Sequence, residues 1–221
     1  VRFLCISDVH GELSALRAVL ATAERRGYHK LLVAGDLCFP GPEPLETWRT
    51  LQRLGAISVQ GVTDAALATV DPGRLEEAAA DPAQKQMARR FLEARRAVGD
   101  LVLERLRRLP THHRMPLPDG RELLLVHGSP EDPTEPLGFE LDDDEIHALL
   151  GDDPADVIVC GMSHVPFVRE VSGVMIVNVG SVGDAPGGGV AHATFIEATA
   201  AGITVDPIEV PLDDEIAAAA R

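Results

Sequence analysis

Apolar residues gather in short runs near the start of the chain, and stripes at helical spacing separate those runs. Arg2–Ser7, Leu31–Gly35 and Ala56–Gly61 are mostly apolar and each suits a buried strand that runs into a turn. Between the first two, Leu13, Leu16, Val19 and Leu20 recur with the period of a helix, and Gly27 supplies its C-terminal stop. Pro44–Leu54 repeats the arrangement, with Leu45, Trp48, Leu51 and Leu54 on one face. Strand, helix, strand, helix, strand predicts parallel pairing through right-handed crossovers.

After Asp64 the pattern changes to a helical insert over about residues 65–110. It breaks at Asp71-Pro72-Gly73 and at Asp81-Pro82, stays amphipathic from Ala83 to Leu109, and stops at Pro110. Strands return at Glu122–Val126 and Val157–Cys160, with a short helix over Asp142–Leu150 between them. Phe167–Val171 and Val174–Val177 flank Ser172-Gly173, a two-residue hairpin signal, and Val190–Glu197 and Ile203–Val210 add further strands. His112 and His113 read as strand-edge residues. The expected fold is α/β: two packed mixed β-sheets flanked by helices, with the helical insert, in a single domain over residues 1–221.

Composition supports a folded enzyme-sized unit and excludes several partners. A chain of 221 residues with 45% hydrophobic content buries a full core. No apolar run approaches the roughly 20 residues that span a bilayer, and the N-terminus opens on a strand pattern rather than a leader, so no membrane partner and a cytoplasmic location are expected. Cys5, Cys38 and Cys160 lie in or beside apolar runs without C-x-x-C spacing and read as buried reduced thiols. A net charge of -15 argues against duplex nucleic acid, which needs clustered Lys and Arg.

The charge is unevenly distributed. Residues 122–168 hold no Lys or Arg, and Asp142-Asp143-Asp144-Glu145 reads as a helix cap and acidic first turn rather than a calcium loop. Arg89, Arg90, Arg95 and Arg96 lie in the insert, either as the solvated face of an outer helix or as a lid that lends an arginine to a phosphate. Gly187-Gly188-Gly189 lacks the lysine of a phosphate loop and reads as a turn.

The candidate chemistry lies at the strand ends. Asp8-Val9-His10, Gly35-Asp36, His127-Gly128 and Gly161-Met162-Ser163-His164 each place oxygen or nitrogen donors beside a glycine, directly after a strand run. Any one of them alone is a turn or capping signal. Four together predict one metal site assembled along a sheet edge, with Asp8 and His10 two apart in an extended segment and pointing the same way. Asp36, with two carboxylate oxygens, is placed to bridge two cations.

This set resembles the calcineurin-like metallophosphoesterase superfamily, which carries Asp-x-His, Gly-Asp, Gly-Asn-(His or Cys)-(Asp or Glu), an isolated His, and Gly-His-x-His. The corresponding stretches are Asp8-Val9-His10, Gly35-Asp36, Gly61-Val62-Thr63-Asp64, His127 and Gly161-Met162-Ser163-His164. Asn178-Val179-Gly180-Ser181-Val182-Gly183 is similar to the Asn-Pro-Gly-Ser-Val-Gly of a small bacterial branch, and reads as a tight turn near the site.

The resemblance implies an α/β/β/α sandwich and a phosphoesterase acting through a metal-activated water on a phosphomonoester, phosphodiester or nucleotide polyphosphate. It implies one divalent transition metal (Mn, Zn, Fe or Ni) held by Asp8, His10, Asp36 and His164, and a second at Asp36 and His127. That second site is expected to be weak or absent, because Val62 and Met162 stand where the pattern has Asn and His. His127, Asp64 and Thr63 are the implied catalytic set, with Thr63 in the place of a His or Cys. The alternative is a catalytically reduced member of this fold serving as a binding, scaffold or sensor module.

Overall fold

The computed structural model describes residues 1–212, and residues 213–221 of the expected domain lie outside that range. Two five-stranded sheets stack face to face. The first contains β1 (Arg2–Ile6), β2 (Lys30–Val33), β3 (Ile57–Ser58), β9 (Val190–Thr199) and β10 (Gly202–Pro211), in the order β10-β9-β1-β2-β3. The second contains β4 (His112–Pro116), β5 (Glu122–Val126), β6 (Val157–Cys160), β7 (Phe167–Val171) and β8 (Val174–Asn178), in the order β4-β5-β6-β8-β7. Each is mixed: β1, β2 and β3 are parallel in one, and β5, β6 and β8 are parallel in the other.

Period-two alternation along β1 builds three layers of core. Phe3 and Cys5 face the second sheet, where they meet Leu123, Leu125, Val157 and Val159. Leu4 and Ile6 face the opposite way, into helices α1 (Leu13–Arg26), α2 (Pro44–Arg53), α3 (Val62–Thr69) and α5 (Pro82–Arg107). On the far side of the second sheet, Leu124, Val126, Ile158 and Ile176 pack on Ile146 and Leu150 of α6 (Asp143–Leu150). Strands buried on both faces must read as continuous apolar runs, which is why β1, β2, β5 and β6 were conspicuous.

The turn chemistry works as the residues demand. Ser172 and Gly173 both have positive φ, 53° and 81°, the geometry of a two-residue hairpin that pairs Val171 with Val174. Asp142 caps α6 by accepting from the amides of Asp144 and Glu145, while Glu145 accepts from the amide of Asp142.

Three elements differ from expectation. The first helix of the insert starts at Val62 rather than after Asp64, because Gly61 is its N-cap and Asp64, at the third helical position, accepts the Gly61 amide. The long helix α5 is interrupted at Gly99, whose φ of 76° and ψ of 165° leave the helical region. His112 and His113 begin a full edge strand, hidden in the sequence because only Met115 of β4 is buried. A further short helix, α4 (Pro72–Ala78), follows the Asp71-Pro72-Gly73 break. Among the described residues no helix is long and apolar enough to cross a membrane.

Candidate metal centre

The C-terminal ends of the parallel strands of both sheets open onto one place, and every candidate ligand leaves from such an end. Asp8 and His10 follow β1, Asp36 follows β2, His127 follows β5, and His164 follows β6. The extended segment expected for Asp8–His10 does not form. Asp8, His10 and Asp36 instead have φ of 52°, 54° and 54°, and Met162 and His164 have φ of 65° and 61°. Left-handed backbone costs a non-glycine residue about 1–3 kcal/mol, and here neighbouring chain holds it. The amides of Asp8, His10 and Gly11 donate to the carbonyls of Gly35, Asp36 and Leu37, fastening the first two ligand loops together.

Two donor groups result. Asp8, His10 and His164 form one, and Asp8, Asp36 and His127 form the other, each with ligand atoms within 4.8 Å of one another. Asp8 is in both groups, and Asp36 is in the second. The Asp36 Oδ1 accepts the amide of Thr63 at 2.8 Å, which leaves Oδ2 facing His127 Nε2 at 3.6 Å. Asp8 uses Oδ2 to accept the amide of Met162 at 2.9 Å, so its Oδ1 faces His164 Nε2 at 3.2 Å and His10 Nε2 at 3.6 Å.

The histidine tautomers follow from the partners of the far nitrogens. His10 Nδ1 lies 2.6 Å from the Phe39 carbonyl and His127 Nδ1 lies 2.6 Å from the Ala34 carbonyl. A carbonyl only accepts, so each Nδ1 carries a proton, and in the neutral ring Nε2 is the nitrogen that presents a lone pair. His164 Nδ1 faces the Asp184 carboxylate at 3.3 Å, with the same consequence. The Nε2 atoms of His10 and His164 are 3.2 Å apart, and two lone pairs at that distance repel unless a proton or cation sits between them. Asp8 Oδ1 and His127 Nε2 are buried with no donor or acceptor aligned on them, an arrangement that costs about 1–3 kcal/mol per atom unless something binds there. Oxygen and imidazole donors in these two groups could hold divalent transition metals.

Burial would push the Asp8 carboxyl up, but the surrounding His164, His127 and His10 hold it below the usual carboxylate range. Burial likewise works against a charged His164, yet Asp8, Asp184 and Asp36 raise it above its ordinary value. Asp64 is fully buried and is pushed up to about 7, by desolvation first and then by Asp36. Its two oxygens accept the amides of Leu37 and Gly61, so it braces the second and third ligand loops against each other. The Thr63 hydroxyl makes only a long contact, 3.5 Å, to the Phe39 carbonyl.

Close approach explains two glycines. A Cβ on Gly61 would lie 2.2 Å from both the amide nitrogen and Oδ1 of Asp36, and one on Gly161 would lie 2.6 Å from Asp8 Oδ2. Of the supporting residues, Ser7 and Asp184 carried no signal along the sequence, whereas Asn178 opens the Asn178–Gly183 stretch. Ser7 donates to the Ala34 carbonyl, the same acceptor His127 uses. Asn178 donates to the Gly161 and Leu137 carbonyls and to the Ser163 hydroxyl, locking the loop that carries His164. Asp184 lies one residue beyond the Asn178–Gly183 stretch. Three arginines of the insert donate to main-chain carbonyls: Arg95 to Leu67, Arg107 to Ala68, and Arg90 to Pro40.

Comparison with known proteins places this geometry. A family model described as the calcineurin-like phosphoesterase superfamily domain matches residues 1–200. An uncharacterized protein of Methanocaldococcus jannaschii is 28% identical over 179 residues, covering 80% of this chain and 68% of its own. The structure of a metallophosphoesterase from Sphaerobacter thermophilus superposes with a TM-score of 0.70 at 26% identity, over 95% of this chain and 89% of that one. A hypothetical protein from Pyrococcus horikoshii OT3 has the same fold, with a TM-score of 0.80 at 20% identity over 98% and 90% of the two chains.

Proposed function

Because this chain belongs to the calcineurin-like phosphoesterase superfamily, we propose that it hydrolyses a phosphate ester at the centre built by Asp8, His10, Asp36, His127 and His164. The observation that carries this reading is that the Nε2 atoms of His164 and His10 lie 3.2 and 3.6 Å from the buried Asp8 Oδ1, while Asp36 and His127 gather on the same residue as a second donor group. A divalent cation such as Mn, Zn, Fe or Ni, when bound, supplies Lewis acidity toward a phosphoryl oxygen and acidifies water. Asp8, His10 and His164 hold the firmer cation. Asp36, His127 and the shared Asp8 hold a weaker one.

The protein's own groups divide the remaining work. His127 presents a lone pair rather than an N–H at Nε2, so it serves as a ligand and not as a proton donor to the phosphate. Asp64 positions the main chain, because both of its oxygens are taken by amides. The Thr63 hydroxyl, weakly engaged beside Asp36, is the group free to contact a leaving oxygen. A phosphorylated small molecule or nucleotide is the substrate class, in the cytoplasm, where three buried free thiols stay reduced. The similarity to the Sphaerobacter metallophosphoesterase supports the reaction class.

The test is turnover of p-nitrophenyl phosphate and bis-p-nitrophenyl phosphate across manganese, nickel, zinc and iron. Turnover with at least one metal, lost in Asp36→Asn, is the expected result. A protein that binds metal and turns over neither ester at any metal would overturn it. That outcome favours the second reading, a binding or scaffold module, for which the specific observation is that Val62 and Met162 offer no nitrogen or oxygen side-chain donor to the Asp8–Asp36–His127 group.

A further inference from the structure

The turn Gly180–Asp184 touches two ligands of one cluster by different means. Through its main chain and Ser181 it fixes the backbone of Asp8: the Ser181 hydroxyl donates to the Asp8 carbonyl at 3.0 Å and the Gly183 amide donates to the same oxygen at 2.9 Å. The Ser181 hydroxyl also accepts the amide of Asp184 at 2.8 Å, which aims the Asp184 side chain outward. That carboxylate then faces Nδ1 of His164 at 3.3 Å.

The three ligand histidines are therefore not backed alike. His10 and His127 give their Nδ1 protons to main-chain carbonyls that no substitution removes, and both rings are buried. His164 is the more exposed ring, with 22% of its side chain accessible, and its far nitrogen faces a charged side chain. A carbonyl fixes a tautomer. A carboxylate fixes it and also makes the coordinating nitrogen a stronger donor. We propose that Asp184 is a positioning residue that holds His164 with its proton on Nδ1 and thereby makes the Asp8–His10–His164 group the tighter of the two cation sites. The inference rests on the metal-centre reading above, but it concerns affinity and not turnover.

The full-length chain, stripped of metal, is titrated with zinc against a chromophoric chelator, and side-chain nitrogen–proton correlation spectra of the zinc-free protein, recorded at alkaline pH where the rings are neutral, report the histidine tautomers. In Asp184→Ala the first zinc equivalent is expected to weaken by about 10–100-fold with the second unchanged, and His164 is expected to lose its Nδ1-protonated signature. Asp184→Glu should restore most of both. The zinc-free melting temperature should hold, since Asp184 is 69% exposed at its side chain. An unchanged first equivalent, or a His164 tautomer that survives in Asp184→Ala, would refute the proposal. So would an equal loss at both equivalents, which is general loosening. A protein that binds zinc as expected and hydrolyses nothing leaves this inference standing while removing the hydrolase reading.

Discussion

The Ser181 hydroxyl reaches across 173 positions of sequence to donate to the main-chain carbonyl of Asp8 at 3.0 Å. It also accepts the Asp184 amide, so one buried oxygen ties the last turn of the site to its first ligand loop. Ser181→Ala leaves the Asp184 amide without its acceptor. Urea denaturation should show a loss of about 1–3 kcal/mol, and metal titration a weaker first equivalent.

Asp8 belongs to both donor groups, whereas His127 belongs to one. Elemental analysis should therefore find no tightly held transition metal in Asp8→Ala and an occupied first site in His127→Ala. Equal metal content in the two variants would mean that Asp8 is not shared.

Gly161 is required by space rather than by backbone angle. An added Cβ would meet the Ser7 hydroxyl at 2.0 Å and Asp8 Oδ2 at 2.6 Å, neither of which has room to withdraw. Gly161→Ala should cost about 1–3 kcal/mol by thermal or urea denaturation, with loss of metal because Asp8 is displaced.

The His164 imidazole is raised above its ordinary value of 6.5: burial opposes the charge, and Asp8, Asp184 and Asp36 overcome it. A raised folded value means that its contribution to stability is full below the unfolded value and is lost as pH rises through the folded one. The metal-free protein should accordingly lose stability across a window that begins near 6.5 and extends upward, and His164→Gln should flatten that slope. Cation uptake must displace the same proton, so calorimetry in buffers of different ionisation enthalpy should show proton release near neutral pH that disappears at alkaline pH.

Val62 is 39% exposed and precedes Thr63, whose amide holds Asp36, while the Met162 amide holds Asp8. Both side chains thus start beside the Asp8–Asp36–His127 group. Val62→Asn with Met162→His adds an amide oxygen and an imidazole there. The second cation equivalent should tighten by about tenfold or more, with faster turnover of bis-p-nitrophenyl phosphate. Two bound cations without a gain in rate would show that metal number is not what limits this protein.

Much of the fold was legible because its signals are local. Alternation in Arg2–Ser7, helical spacing in Leu13–Leu20, the hairpin pair Ser172-Gly173 and the cap at Asp142 each depend on residues a few positions apart. β4 was obscure because an edge strand with one buried side chain leaves little pattern. The site was legible as a set of ligand types after strands. Its internal assignments were not, since the partners of Asp36 Oδ1 and Asp8 Oδ2 are amides at Thr63 and Met162, far away along the chain.

The amino-acid order alone determined that donors would stand at strand ends and that strands buried on both faces would bring those ends together. Only the tertiary structure decided that Asp8 enters both donor groups and Asp36 one, that left-handed backbone rather than pleat turns Asp8 and His10 inward, and that Asp184 faces His164. The physical reason is range. Periodicity is set by neighbours within a turn or a pleat, whereas the direction of a carboxylate oxygen or an imidazole proton is set by whichever distant amide or carbonyl the packed sheets place against it.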